Sequence, residues 1–199
     1  MSQESQTQEP TKLAIFDFSR TICGNEGVYD GLVDQVKTLR ENGWQVAIAS
    51  LAPLQEMKDE MQRIPAEPGK SMYDLFHPII GQEALKAINA GKADKTSRET
   101  AREIILATGA SRSHTVVVGD AFTELLLAKN NGLKYLHAGW DDRNKDGLRC
   151  VCFEGSDVDI SEVDVEMAQS IPCVSQISDR LEAVLEPQLE KDSDPELGR

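Results

Sequence analysis

Two aspartates in this sequence each follow a run of apolar residues, an arrangement that presents a carboxylate at the edge of a buried sheet. Asp17 follows LAIF in the segment LAIFDFSRT, and Asp120 follows TVVVG in the segment TVVVGDAFTE. A third apolar run, VAIA, ends in Ser50. Carboxylates that are brought together repel each other unless a cation lies between them or one is protonated. The pair therefore predicts a site for Mg²⁺, which prefers oxygen ligands and binds through carboxylates and substrate phosphates.

Further polar residues are expected at the same site. Glu124 lies four positions after Asp120, on the first turn of the next predicted helix, where it can share the cation directly or through water. The hydroxyl of Ser50 can donate a hydrogen bond to a phosphate oxygen. If a carboxylate of this site attacks a bound phosphate, a lysine is needed to neutralise their negative charge. The segment GKADKTS offers both Lys92 and Lys95.

The alternation of strands and helices predicts how these side chains meet. Strands are predicted at 13–18, 44–50, 76–81, 114–120, 133–140 and 172–177, with a strand or surface ribbon at 150–155 and a loop at 65–71. Helices are predicted at 30–43, 53–64, 96–109, 122–132 and 178–189. This pattern is typical of an α/β, Rossmann-like three-layer sandwich with a mainly parallel sheet. Ligands bind beyond the carboxyl ends of such strands, where Asp17, Ser50 and Asp120 would lie.

Composition limits the classes of partner. The chain has 199 residues, of which 40% are hydrophobic, so we expect one domain of ordinary size. Its formal net charge of −13 repels nucleic acid and anionic membrane surfaces but does not exclude small anionic substrates at a cation site. No apolar run is long enough to span a membrane, and the N-terminus shows no signal-peptide pattern, so we expect a cytoplasmic protein.

The termini and the cysteines add little chemistry. We expect a disordered N-terminal lead over 1–11, one α/β domain over 12–189 and a disordered acidic tail over 190–199. Four cysteines are too few and too scattered for a disulfide scaffold. The pair Cys150 and Cys152 is interpreted as two small thiols rather than as a metal site, because no further ligands are apparent nearby.

The motifs together resemble those of the haloacid dehalogenase superfamily of phosphotransferases and hydrolases. Its first motif, an apolar strand followed by D-x-D-x-T, corresponds here to D-F-S-R-T, with Asp17 and Thr21 matching. Its second is a Ser or Thr that ends a strand, matched by Ser50, and its third is a Lys before a helix. Its fourth, G-D-x-x-x-D after an apolar strand, corresponds to GDAFTE, with Glu124 in the last place. Order and spacing agree over residues 12–140.

The resemblance implies a lysine about 25 residues before the fourth-motif Asp, a position that favours Lys95 over Lys92. It also implies that Asp17 attacks phosphorus and forms an aspartyl-phosphate. Ser50 and Lys95 would then hold phosphate oxygens and offset charge in the transition state.

By the same resemblance, Mg²⁺ would be held by Asp17, Asp120, Glu124 and the backbone carbonyl of Ser19. Thr21 matches the last position of the first motif and is assigned to the substrate side. Arg20 stands where a small residue, often Gly, is common. It either pairs with a substrate anion or is a surface residue.

Ser19 is the departure from the pattern. Phosphatases of the superfamily have a second Asp there, which protonates the leaving group and later activates water, help that is typically worth about 10²–10⁴-fold in rate. Three outcomes fit a serine: a substrate with a good leaving group such as an acyl phosphate, a long-lived aspartyl-phosphate, or a phosphate-binding or regulatory protein with little turnover. A dehalogenase ranks lower because its usual cap and extra polar residues are not apparent.

The spacing between motifs leaves no room for a full cap domain. Only 29 residues separate Thr21 from Ser50, and 45 separate Ser50 from Lys95. Capless relatives act on large or accessible substrates, or complete their sites as homo-oligomers. We therefore expect a phosphorylated small molecule or accessible macromolecule as substrate, with the loops at 23–30 and 141–149 forming the rim of the site.

Overall fold

The computed structural model describes residues 10–141 and 169–185, which contain ten strands and six α-helices. The strands are β1 (Lys12–Phe16), β2 (Cys23–Gly24), β3 (Gly27–Val28), β4 (Trp44–Ala49), β5 (Pro65–Glu67), β6 (Lys70–Ser71), β7 (Ile79–Ile80), β8 (Thr115–Gly119), β9 (Lys134–Ala138) and β10 (Gln169–Ile171). The helices are α1 (Leu32–Glu41), α2 (Leu54–Gln62), α3 (Gln82–Ile88), α4 (Arg98–Thr108), α5 (Phe122–Asn131) and α6 (Ile177–Leu185).

Six of the strands form one parallel sheet in the order β10-β9-β8-β1-β4-β7. The chain runs outward from β1 through β4 to β7 and then returns to the other side of β1 as β8. This reversal makes the carboxyl end of β1 the point at which such sheets bind ligands. The prediction of a Rossmann-like α/β fold is confirmed.

Alternation along β1 divides the core into two layers, because successive side chains of a strand point to opposite faces. Ala14 and Phe16 pack with buried residues of α1, α2 and α6 on one face, whereas Leu13 and Ile15 pack with those of α3, α4 and α5 on the other. Both faces of β1 are therefore buried, and packing on both sides holds the strand, and the Asp17 that follows it, in place.

The last predicted strand is wrong. The structure has a strand at Gln169–Ile171, followed by a 3₁₀ turn at Val174–Gln176 that leads into α6. The residue after the strand is Pro172, which has no N–H to donate to a neighbouring strand and so opposes extension of the ladder. The last strand of the sheet is therefore Gln169–Ile171, which ends just before this proline, and not the predicted segment 172–177.

Two further segments differ from the sequence prediction. The predicted loop at 65–71 contains the short antiparallel pair β5–β6. The region between 81 and 95 contains α3, which was not predicted because Leu85 is its one fully buried residue and gives no helical periodicity.

The described residues contain no inserted cap domain between the motifs: α1 and the β2–β3 hairpin occupy the first interval, and α2, β5–β7 and α3 occupy the second. Within the same ranges, no helix is long and apolar enough to cross a membrane. Three predicted segments lie wholly or mostly outside the described residues: residues 1–9 of the lead predicted at 1–11, the ribbon at 150–155 with Cys150 and Cys152, and the tail at 190–199.

Candidate active site

Three sequence-predicted residues follow the carboxyl ends of adjacent strands. The backbone N–H of Asp17 donates to the carbonyl of Val118 at 2.9 Å, and that of Ser50 donates to Ile80 at 2.9 Å. These bonds continue the sheet by one residue and hold both side chains at its edge. Asp120 directly follows β8, whose pairing with β1 brings it beside Asp17. All three residues are buried.

The choice between the two candidate lysines is resolved by their positions. Lys95 is 4% exposed, and its Nζ lies 2.7 Å from Oδ1 of Asp17. It also contacts Oε1 of Glu124. Lys92, in contrast, is exposed. Lys95 is therefore the lysine that can act on a group bound at Asp17.

Glu124 has a fuller set of partners than the sequence indicated. Its Oε1 contacts Lys95 and accepts a 2.7 Å hydrogen bond from the hydroxyl of Thr123, while its Oε2 accepts the backbone N–H of Ala121 at 2.9 Å. In this structure Glu124 therefore holds Lys95 and caps the start of α5. Thr123 was missed by sequence reasoning, although its place between Asp120 and Glu124 is the signal that could have pointed to it.

These side chains surround one cavity of about 180 Å³. Its lining combines six predicted site residues with three apolar ones and Thr123: Asp17, Ser19, Ser50, Leu51, Ala52, Lys95, Asp120, Ala121, Thr123 and Glu124. The volume is sufficient for a phosphate group placed among these side chains.

Charges in the cavity perturb one another. Burial alone would lower the pKa of Lys95, but the carboxylates of Asp17 and Glu124 raise it above its usual value. Burial, together with the charges of Asp17 and Glu124, raises the pKa of Asp120 to about 7. The pKa of Glu124 is also raised, mainly by burial, although Lys95 opposes the rise. With one lysine against three carboxylates, the site has an excess of negative charge that a cation would neutralise.

The three carboxylates fit a divalent cation. Asp17, Asp120 and Glu124 each offer an oxygen, and these oxygens all lie within 4.8 Å of one another. An all-oxygen set on buried carboxylates is the donor chemistry that Mg²⁺ prefers. The arrangement thus has the charge and the oxygen atoms that a divalent-cation site requires.

The turn after Asp17 explains the residue types around Ser19. The carbonyl of Phe18 accepts the N–H groups of Ile22 and Cys23 at 2.8 and 2.9 Å, and within this turn Arg20 has a φ of 63°. A left-handed backbone favours glycine, so Arg20 takes a conformation that residues with a side chain rarely adopt. Ser19 is exposed and lines the cavity.

Arg20 and Thr21 do not line the 180 Å³ cavity, so the structure does not bring them together with the other predicted site residues. Thr21 is fully buried beneath the turn, and its carbonyl accepts the indole N–H of Trp140 at 3.1 Å. Arg20 is partly exposed. Their roles on the substrate side stay predictions.

A second, larger cavity of about 460 Å³ is built from the β2–β3 hairpin and the residues that follow β9. It is lined by residues 24–30 together with Trp140 and Asp141, and the Tyr29 hydroxyl donates to Asp141. Burial, Asp141 and, more weakly, Asp120 raise the pKa of Tyr29. The hairpin at 23–30 thus lies within electrostatic reach of the smaller cavity, whereas residues 142–149 of the other predicted rim lie outside the described residues.

Comparison with known proteins extends these observations. No protein-family model matches the chain. Pyrophosphatase PpaX from Halalkalibacterium halodurans is 27% identical over 124 residues, which cover 61% of this chain and 51% of that protein. The chain therefore spans about half the length of this curated relative.

Solved structures support the fold. An uncharacterized protein from Listeria monocytogenes matches with a TM-score of 0.60 at 14% identity, covering 87% of this chain and 98% of that one. A HAD phosphatase from Thermococcus onnurineus matches with a TM-score of 0.54 at 17% identity, covering 77% of this chain and 58% of that one. The chain has the haloacid dehalogenase-like fold that its motifs predicted.

Proposed function

We propose that this protein is a Mg²⁺-dependent phosphohydrolase that acts on a phosphomonoester or an acyl phosphate through an aspartyl-phosphate on Asp17. The observation that carries the proposal is the convergence of Asp17, Ser50, Lys95 and Asp120 around one cavity of about 180 Å³. The relative named as a pyrophosphatase and the neighbour named as a phosphatase support the same class of reaction.

In this proposal, a carboxylate oxygen of Asp17 attacks phosphorus while the bond from phosphorus to the leaving oxygen breaks. Lys95, whose Nζ lies 2.7 Å from Oδ1 of Asp17, pairs with this carboxylate and offsets the charge that develops on the phosphoryl oxygens. Ser50 is placed to donate to one of these oxygens. Water then attacks the aspartyl-phosphate, releasing orthophosphate and restoring Asp17.

Asp17 and Asp120 would hold the cation, with the carbonyl of Ser19 as a further ligand and Glu124 in reach directly or through water. When bound, the cation supplies positive charge that screens these carboxylates and the phosphate. Glu124 contributes in another way as well, because it contacts Lys95 and keeps the ammonium group in the cavity.

A second candidate function, phosphate binding or regulation with little turnover, is favoured by one observation. Ser19 lines the cavity where a general acid would be needed, and a serine hydroxyl is too weak an acid for that task. Leaving groups that depart without a proton would still be released. Activity on good leaving groups therefore separates the two candidates.

The test is hydrolysis of p-nitrophenyl phosphate in MgCl₂ and in EDTA. We expect turnover in Mg²⁺, none in EDTA, and none with Asp17→Asn, which keeps the shape of the side chain but removes the nucleophile. Asp59→Asn, an exposed change on α2, is the matched control and should retain full activity.

Activity that persists in Asp17→Asn would refute the nucleophile assignment. Absence of turnover in the wild type, with none gained in Ser19→Asp, would exclude the hydrolase and leave the binding function. Orthophosphate binding measured by calorimetry would then support that second candidate.

A further inference from the structure

The side chain of Asn89 makes hydrogen bonds to both ends of the segment between α3 and α4, which carries Lys95. Asn89 follows the last turn of α3, and Lys95 lies just before α4, so the chain must turn back between them. Ala90 and Gly91 take positive φ values of 51° and 93° in this turn. An alanine with positive φ is strained, so the loop needs contacts that fix its conformation.

The amide of Asn89 supplies these contacts. Its Nδ2 donates to the carbonyls of Leu85 and Asp94 at 3.0 and 2.7 Å and lies 3.1 Å from Oγ1 of Thr100. Its Oδ1 accepts the hydroxyl of Ser97 at 2.6 Å. One partly buried side chain thus joins the end of α3 to the start of α4, with Lys95 on the segment it closes.

The contact with Asp94 bears directly on Lys95, because the carbonyl of Asp94 belongs to the peptide group that precedes Lys95. The same carbonyl accepts the hydroxyl of Thr100 at 3.0 Å, and the carboxylate of Asp94 accepts the N–H of Thr96 at 2.8 Å. The peptide groups on both sides of Lys95 are thereby fixed. The direction in which the lysine side chain leaves the backbone follows from them.

We propose that Asn89 is a positioning residue of the active site: by fixing the peptide before Lys95, it holds the lysine Nζ against Asp17. This inference rests on the proposed function for its kinetic consequence, but the contact it describes is structural. A displacement of about 1 Å of a group that acts on the reacting atoms can cost on the order of 10²-fold in rate. Asn89 does not line the cavity, and its side chain bonds to Leu85, Asp94, Ser97 and Thr100 but not to Asp17. Its effect on catalysis therefore passes through Lys95.

The test compares Asn89→Ala with Lys95→Ala and with the double variant, using p-nitrophenyl phosphate in MgCl₂. We expect Asn89→Ala to lower kcat on the order of 10–100-fold, and to have no further effect once Lys95 is absent. Thr100→Val, which removes one of the two donors to the Asp94 carbonyl, should give a smaller loss. Lys86→Ala, an exposed change on α3, is the control for loss of helix stability and should leave kcat unchanged.

Asn89→Asp guards against misfolding, because it keeps the shape and the acceptor for Ser97 but removes the donors to Asp94. It should fold and still lose activity. Equal kcat in the wild type and Asn89→Asp, or losses from Asn89→Ala and Lys95→Ala that multiply in the double variant, would overturn the inference.

If the wild type neither turns over nor binds orthophosphate, the proposed function fails, and the positioning role is judged by stability. Urea unfolding of the wild type, Asn89→Ala, Lys95→Ala and the double variant should then show that the loss of unfolding free energy caused by Asn89→Ala changes when Lys95 is absent. Strictly additive costs would overturn the positioning role independently of activity.

Discussion

Replacing Asp120 by asparagine is expected to stabilise the metal-free protein. Asp120 is 2% exposed and lies beside two other buried carboxylates, Asp17 and Glu124, with Lys95 as their cation in the cavity. Burial and these two charges raise its pKa from 3.8 to about 7. The ionised side chain therefore opposes folding, and a neutral amide of the same shape removes that cost.

The magnitude follows from the shift. Because each pKa unit corresponds to about 1.4 kcal/mol, the rise to about 7 is a cost of about 4 kcal/mol at neutral pH and above. Because the pKa of Asp120 is higher in the folded state, the folded state binds more protons than the unfolded state between about pH 4 and about pH 7. The free energy of unfolding therefore falls as pH rises through that window. The gain from Asp120→Asn should grow by about 2 kcal/mol from about pH 5.5 to about pH 8.

The assay is urea unfolding in EDTA at several pH values, with the wild type, Asp120→Asn and the exposed control Asp59→Asn measured together. At about pH 8 we expect Asp120→Asn to be more stable by about 2–4 kcal/mol, the lower limit allowing for the hydrogen bonds that a buried amide must satisfy. In MgCl₂ the stability advantage of Asp120→Asn over the wild type should become smaller or change sign, because the cation stabilises the wild type more than the variant.

Two results would refute this reasoning. A lower stability of Asp120→Asn in EDTA near pH 8 would mean that the carboxylate is stabilised by its surroundings. A difference that does not change with pH would mean that the effect comes from packing rather than from ionisation.

Three other predictions follow from the same charges and contacts. Lys95→Met should cost about 3–5 kcal/mol in EDTA near pH 8 because it leaves buried carboxylates without their cation. The loss measured by urea unfolding should shrink toward about pH 5.5 as Asp120 and Glu124, whose pKa values are raised, take up protons; a cost independent of pH would contradict this prediction. Gly119→Ala places a Cβ 2.1 Å from Cγ of Glu124, so it should cost about 1–3 kcal/mol in urea unfolding. That cost should shrink but not vanish in a Glu124→Ala background, because the Cβ of residue 124 remains 2.7 Å from the new Cβ. Ser19→Asp should raise kcat for an alkyl phosphate within the 10²–10⁴-fold range of acid catalysis, with little effect on an aryl phosphate; equal effects on both substrates would exclude a missing acid.

The sequence allowed prediction of the sheet edge because buried parallel strands have a strong signature. Asp17, Ser50 and Asp120 each interrupt an apolar run, and parallel strands place such interruptions at one edge. That physical argument needs no partner residues and holds for each strand separately, which is why these three positions lie where they were expected.

The contacts around Lys95 could not be predicted in the same way. Lys92 and Lys95 both precede the same predicted helix, so their positions in the sequence did not show which one belongs to the site. Only the spacing typical of the resemblance favoured Lys95. In the folded chain Lys95 is buried and Lys92 is exposed. Asn89 gave no signal, because a helix-ending asparagine is common. Its contacts reach residues up to eleven positions away, across a turn that periodicity does not describe.

The three carboxylates of the cavity cannot take the place of the missing acid at Ser19 without giving up another task. Asp17 is the proposed nucleophile, Asp120 is the proposed cation ligand, and Glu124 holds Lys95 and caps α5. To deliver a proton, any of them would first have to be neutral, and it would then lack the negative charge that holds the cation or, for Glu124, Lys95. Under the proposed function, charge neutralisation and proton delivery are therefore separable in this site. The buried carboxylates and Lys95 would determine whether a phosphate is held and attacked, and the hydroxyl of Ser19 would determine which leaving groups can depart.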